Sequence, residues 1–118
     1  MSLTAFLQCL RETPERIEFA DTIAAIESHY DYTPTAFRNG EVENGAGQNG
    51  GSCKILAFAR LHALSEPETL ACFGRYYRDD VLKHPDGSDH PNIRNFLRSG
   101  WGGVKFEGDA LRALRPDA

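Results

Sequence analysis

Residues 53–63 constrain the fold of this chain more than any other stretch. Ile55, Leu56, Ala57, Phe58, Ala59 and Leu61 place apolar groups on nearly every face of a helix. Such a segment predicts a buried central helix, around which the remaining amphipathic pieces must pack. It follows a polar, glycine-rich run, Asn44-Gly45-Ala46-Gly47-Gln48-Asn49-Gly50-Gly51-Ser52, which reads as a loop ending at a helix start.

The other segments fit that scheme. Leu3, Phe6, Leu7 and Leu10 recur at helical spacing, so residues 3–11 read as a short amphipathic helix capped by Ser2. Thr13-Pro14 starts a second helix over 14–29, with Phe19, Ile23, Ile26 and Tyr30 on one face. Thr35–Val42 fits a small hairpin turning at Asn39-Gly40. Ser65-Glu66-Pro67-Glu68 is a capping box that opens a fourth helix, expected to run to about Lys83 with Leu70, Phe73, Tyr77 and Val81 on one face. Asp89 or His90 caps a fifth, with Ile93, Phe96 and Leu97 inward and Gly100 beyond its end. Trp101–Phe106 reads as extended, with Trp101 buried, and the last dozen residues as a frayed helical tail. The fold class is therefore mainly α: a compact bundle of about five helices with a small hairpin or short strands as a minor α+β component. The 118 residues match the commonest domain size, so residues 1–118 are expected to be a single domain.

Charge and cysteine content narrow the function. Lys+Arg is 13 and Asp+Glu is 17, giving −4, which argues against the basic surface that non-specific nucleic-acid binding needs. No apolar stretch approaches the roughly 20 residues of a membrane helix, so no membrane span is expected. Cys9, Cys53 and Cys72 are odd in number and lack a Cys-x-x-Cys spacing, which fits a reducing, cytoplasmic setting.

Two regions carry candidate chemistry. In the first, Cys53 stands where a helix begins, a place that stabilises a thiolate. Gln48 offers an oxyanion donor, and His90 or His84 a general base, oriented by Asp86, Asp89 or Asn92. The order of glutamine, small residues and cysteine resembles the papain type of thiol enzyme, at a different spacing and without the rest of that signature. Against this, Cys53 is equally well a small buried hydrophobe. The second region, Asp79–His90, concentrates four carboxylates and two imidazoles. His84, Asp86, Asp89 and His90 are hard- and transition-metal ligand types, which admits metal-assisted hydrolysis. The stretch fails the EF-hand template, however, and Asp86-Gly87 is ordinary turn chemistry. Asp80 lies near a helix C-terminus, where the dipole disfavours anions, and a tie to Arg94 would offset that. No particular cofactor or metal is implied.

The linked motifs also carry a family resemblance. Tyr30–Gly40, Ala46–Asn49 with Ser52-Cys53-Lys54, Tyr76–Val81, His84–Arg94 and Gly100-Trp101, in that order, are similar to the HopJ type III effector family over roughly residues 19–106. One local departure is Gly50, where the family commonly has glutamate. The resemblance implies a bacterial protein passed into host cells by a type III secretion apparatus. The family has no established chemistry, so it assigns no catalytic residues. On this reading the chain is a module that binds a host or bacterial protein partner or a small ligand, through Asn39, Asn49, Ser52, Asp80, Asp86, Asp89, Asn92 and Arg94. The thiol and metal hydrolases stand beside it as alternatives. The arrangement that favours a site is Gln48, Asn49 and Ser52 facing Asp86–Asn92 across a pocket, with Cys53 at its floor.

Overall fold

A computed structural model describes residues 2–114. Helix α1 spans Leu3–Glu12, and the Ser2 hydroxyl accepts a hydrogen bond from the Ala5 amide at 3.0 Å, as its sequence predicts. Phe6 and Leu10 are its buried face. The expected second helix is interrupted. Pro14–Arg16 forms one 3₁₀ turn, and α2 begins only at Phe19, running to His29. One long-range and one local contact hold the break: the Arg78 guanidinium donates to the Ile17 carbonyl at 2.7 Å, and the Asp21 carboxylate caps α2 by accepting from the Glu18 amide at 3.1 Å.

Strands β1 (Tyr30–Tyr32), β2 (Phe37–Asn39) and β3 (Val42–Asn44) follow. The β2–β3 hairpin exists, one residue out of the expected register. Asn39 pairs with Val42, so the two loop residues are Gly40 and Glu41, with Gly40 at φ 62°. Helix α3, Gly50–Leu61, is the central helix, with Cys53 and Ile55 to Ala59 buried. Leu61, predicted to join them, is 58% exposed at its end.

The expected fourth helix is two pieces. Helix α4, Glu66–Ala71, has the predicted capping box: the Ser65 hydroxyl accepts from the Glu68 amide and the Glu68 carboxylate from the Ser65 amide. The chain then turns at Gly74 (φ 62°) and continues as a π-helix over Tyr76–Val81, with the Leu82 amide donating to the Tyr77 carbonyl. Gly74 is required there, because a Cβ would sit 2.5 Å from the Phe19 nitrogen. Helix α5 spans Pro91–Ser99 and buries Asn92, Ile93 and Phe96; Leu97, expected inward, is 48% exposed.

A 3₁₀ turn at Gly100–Gly103 leads into β4 (Val104–Phe106), which pairs antiparallel with β2 to complete a β3-β2-β4 sheet. Trp101 is half-buried against Phe96, and its indole N–H donates to the Leu64 carbonyl at 3.0 Å. The predicted helical tail is instead strand β5, Leu111–Ala113, paired with β1. The rest of that prediction lies beyond residue 114, outside the described residues. The fold is mainly α with two small sheets. Among the described residues, five α-helices and the π-helix, beside the two 3₁₀ turns, stand where about five helices were expected.

Candidate functional site

The N-termini of α3 and α5 open on one cleft of about 370 Å³, lined among others by Phe19, Asn49, Ser52, Tyr76, His90 and Asn92. The glycine-rich loop and the 84–92 loop therefore do share a pocket. Both helices begin from a non-glycine residue in left-handed backbone, Asn49 at φ 50° and His90 at φ 49°. Such strain persists only where surrounding contacts hold it. Neither helix has a side-chain cap, whereas Ser2 and Ser65 cap α1 and α4. Among the described residues the Gly50, Gly51 and Ser52 amides make no hydrogen bond, and neither does the Ser52 hydroxyl. Gly51 is small for a reason: a Cβ there would lie 2.7 Å from the Phe19 ring.

A cluster of buried asparagines fixes the back of the cleft. The Asn39 amide donates to the Asn92 carbonyl at 2.7 Å and to Asn92 Oδ1 at 3.1 Å. Asn44 donates to Asn92 Oδ1 at 3.2 Å, while Asn92 and Asn49 both donate to Asn44 Oδ1, at 3.0 and 2.6 Å. The backbone carbonyls of Asn92 and Phe37 accept from Asn39 and Asn44, which sets every amide orientation in the set. Asn39 thus supports the cleft from behind, whereas Asn92 supports it and also lines it. Asn44 was not among the residues that sequence reasoning chose, because in a glycine-rich loop it reads only as a turn former.

At the mouth, His90 Nε2 lies 2.9 Å from Asp80 Oδ2 and 3.7 Å from an Asp89 oxygen. The Tyr76 ring packs on the imidazole with centroids 5.1 Å apart. The predicted Asp80–Arg94 ion pair is not formed. Arg94 donates to the backbone carbonyls of Asp89, His84 and Asp80, and pairs its charge with the Asp89 carboxylate at 2.5 Å. That hydrogen bond holds the Asp89 carboxyl below its ordinary pKa, with help from the nearby Arg94 and His90 charges. Arg94 therefore pins the 80–90 loop, and Asp80 answers His90 instead. For a cation, Asp80, Asp89 and His90 are the group brought within 4.8 Å of one another among the described residues; His84 and Asp86, expected there, are not in it. The Arg94 guanidinium on Asp89 already neutralises one of its two carboxylates.

The thiol is elsewhere. Because α3 begins three residues before the expected start, Cys53 is its fourth residue, and its amide is already bonded to the Asn49 carbonyl. Its sulfur is fully buried, 3.6 Å from the Thr35 carbonyl, and does not line the cleft. Burial pushes the Cys53 pKa up, away from a reactive thiolate. Gln48 folds back to accept from the Gly45 amide at 2.8 Å and is also absent from the cleft wall. Phe19 and Tyr76 line the cleft without having been chosen as site residues; an aromatic in an amphipathic helix signals a core position first.

Comparison with known proteins shows the family and the fold. A family model described as HopJ type III effector protein matches residues 3–111. A crystal structure of a protein of unknown function, VPA0580, is 56% identical and superposes with a TM-score of 0.95, covering 97% of this chain and 95% of that one. No curated protein matches the chain.

Proposed function

We infer the function of this chain from two premises: it belongs to the HopJ type III effector protein family, and two uncapped helix starts converge on one cleft. The reading is a binding module for a small ligand with an anionic or carbonyl end and an apolar body. The single observation that carries it is the shared cleft. Unbonded amides at Gly50–Ser52 suit a negative oxygen, since a helix start offers free N–H groups and about half a positive charge. Phe19, Phe73, Tyr76 and Ile93 supply the apolar wall. Export through a type III apparatus is part of the reading on the strength of the family description. No described helix is long and apolar enough to cross a membrane.

Benzoate combines both ligand features and serves as a probe. Titrated into isotope-labelled protein, it is expected to shift the amide resonances of residues 50–52, 90, 92 and 93 selectively. Cys53→Ala should leave that response in place. Uniform or absent shifts at millimolar benzoate would remove the reading.

A further inference from the structure

Three observations at the cleft go beyond binding. First, His90 is held by a carboxylate: Asp80 Oδ2 lies 2.9 Å from Nε2. A carboxylate in that position fixes the tautomer, placing the ring proton on Nε2 and leaving Nδ1 as the basic nitrogen. Second, Ser52 lines the same cleft as His90, and its hydroxyl has no partner among the described residues. Third, the residues that hold His90 in place do so at a conformational cost. Its backbone is left-handed at φ 49°, and Asp80 reaches it from a π-helical turn. Strained backbone and π-turns both concentrate at functional sites.

We propose that Ser52 and His90, with Asp80 as a positioning residue, form an ester-hydrolysing site for small esters of apolar or aromatic acids. The proposal rests on the cleft being the binding site. The nucleophile is thus the neighbour of the cysteine that the sequence singles out, because Ser52 faces the cleft and Cys53 faces the core. Ser52 Oγ bonds to the acyl carbon while its proton passes to His90 Nδ1. The carbonyl electron pair moves onto oxygen, where the Gly50–Ser52 amides receive it. The carbon–oxygen bond to the leaving alcohol then breaks, and His90 returns the proton to that alcohol. Water repeats the two transfers through His90, releasing the acid and restoring the serine hydroxyl. The groups facing the imidazole are the Asp80 and Asp89 carboxylates and the Tyr76 ring, with Arg94 neutralising Asp89.

An alkyl fluorophosphonate tests this directly, since Oγ attack forms an oxygen–phosphorus bond and expels fluoride. The expected result is one adduct, mapped by peptide mass to Ser52 and absent from Ser52→Ala. His90→Asn, which keeps a residue tolerant of left-handed backbone, should slow labelling by ~100-fold or more. Asp80→Asn should slow labelling while the benzoate shifts at residues 50–52 keep their native size, and Asp80→Glu should recover part of the rate; loss of the shifts together with the labelling would make Asp80 merely structural. No adduct at Ser52, or equal labelling rates in the native protein and His90→Asn, overturns the proposal. The benzoate titration separates the two readings. Selective shifts without a Ser52 adduct overturn hydrolysis alone, and neither shifts nor adduct overturns both.

Discussion

At the residue scale, burial decides which of the chemistry-bearing side chains is available. The sequence presents Cys53 as a thiol at a helix start, and the inference fails by three residues. Gly50 and Gly51 are poor helix formers, so a helix is expected to wait for Ser52, yet α3 begins at Gly50 because Asn49 takes up left-handed backbone. Cys53 then faces inward, and Cys72 is fully buried as well, its pKa pushed up to about 12 first by burial and then by the Glu68 charge. Iodoacetamide should therefore modify the half-exposed Cys9 in the native protein and reach Cys53 and Cys72 only on unfolding, as peptide mass mapping will show. Native alkylation of Cys53 as fast as that of Cys9 would contradict the buried thiol. His62 gives a pH test. The Tyr30 hydroxyl lies 2.6 Å from its Nε2, and burial followed by the Arg11 charge lowers its pKa from 6.5. The unfolded chain then binds a proton that the folded chain resists. This contribution to stability is complete above pH 6.5 and is lost as pH falls through and below that value. The drop in melting temperature between about pH 7.5 and about pH 5.5 should be smaller in His62→Gln than in the native protein.

At the element scale, local signals located the helices but not their interruptions. The serine caps on α1 and α4 and the buried α3 were legible because each depends on neighbours within one or two turns. Leu70, Phe73, Tyr77 and Val81 keep helical spacing across Gly74, so periodicity alone predicts one long helix. What breaks it is a long-range contact. The backbone at Glu18–Phe19 packs onto Gly74 so closely that no side chain fits, and the chain resumes as the π-turn that aims Asp80 at His90. The junction before α2 lies beside this contact, with the Ile17 carbonyl held by Arg78 from the π-turn. Gly74→Ala should lower stability by roughly 2 kcal/mol or more in urea titration, combining left-handed strain with a backbone clash. Gly47→Ala is the control: its φ is 87°, but nothing lies within 4 Å of the added carbon. It should cost about 1 kcal/mol, from backbone strain alone. Equal losses in the two variants would show that the Gly74 packing contributes nothing.

At the scale of the whole molecule, the cleft exists because segments far apart in sequence are tied together by neutral hydrogen bonds. Strand β5 returns to pair with β1, and β4 with β2. No local pattern encodes such pairings, which is why the tail read as helix. The site was legible in part. Asn49, Ser52, His90 and Asn92 were identified from their loops and do share the cleft, whereas Gln48, Cys53, His84 and Asp86 were chosen on residue type and point elsewhere or stay apart from it. A long-range tie joins the hairpin to α5, where Asn39 bonds Asn92 across 53 positions. Asparagine suits this place because it supplies donors and acceptors without a charge that burial would penalise. Asn92→Ala removes three side-chain hydrogen bonds, to Asn39 and twice to Asn44, while their backbone partners remain. A loss of about 2–3 kcal/mol is expected in urea titration, with weaker benzoate shifts at residues 50–52 because the wall behind them is released. If the asparagines act as one unit, Asn39→Ala should cost much less in the Asn92→Ala background than alone, by ~1 kcal/mol. Additive losses would mean that hairpin and helix are held independently, and that the cleft owes its shape to apolar packing rather than to this amide cluster.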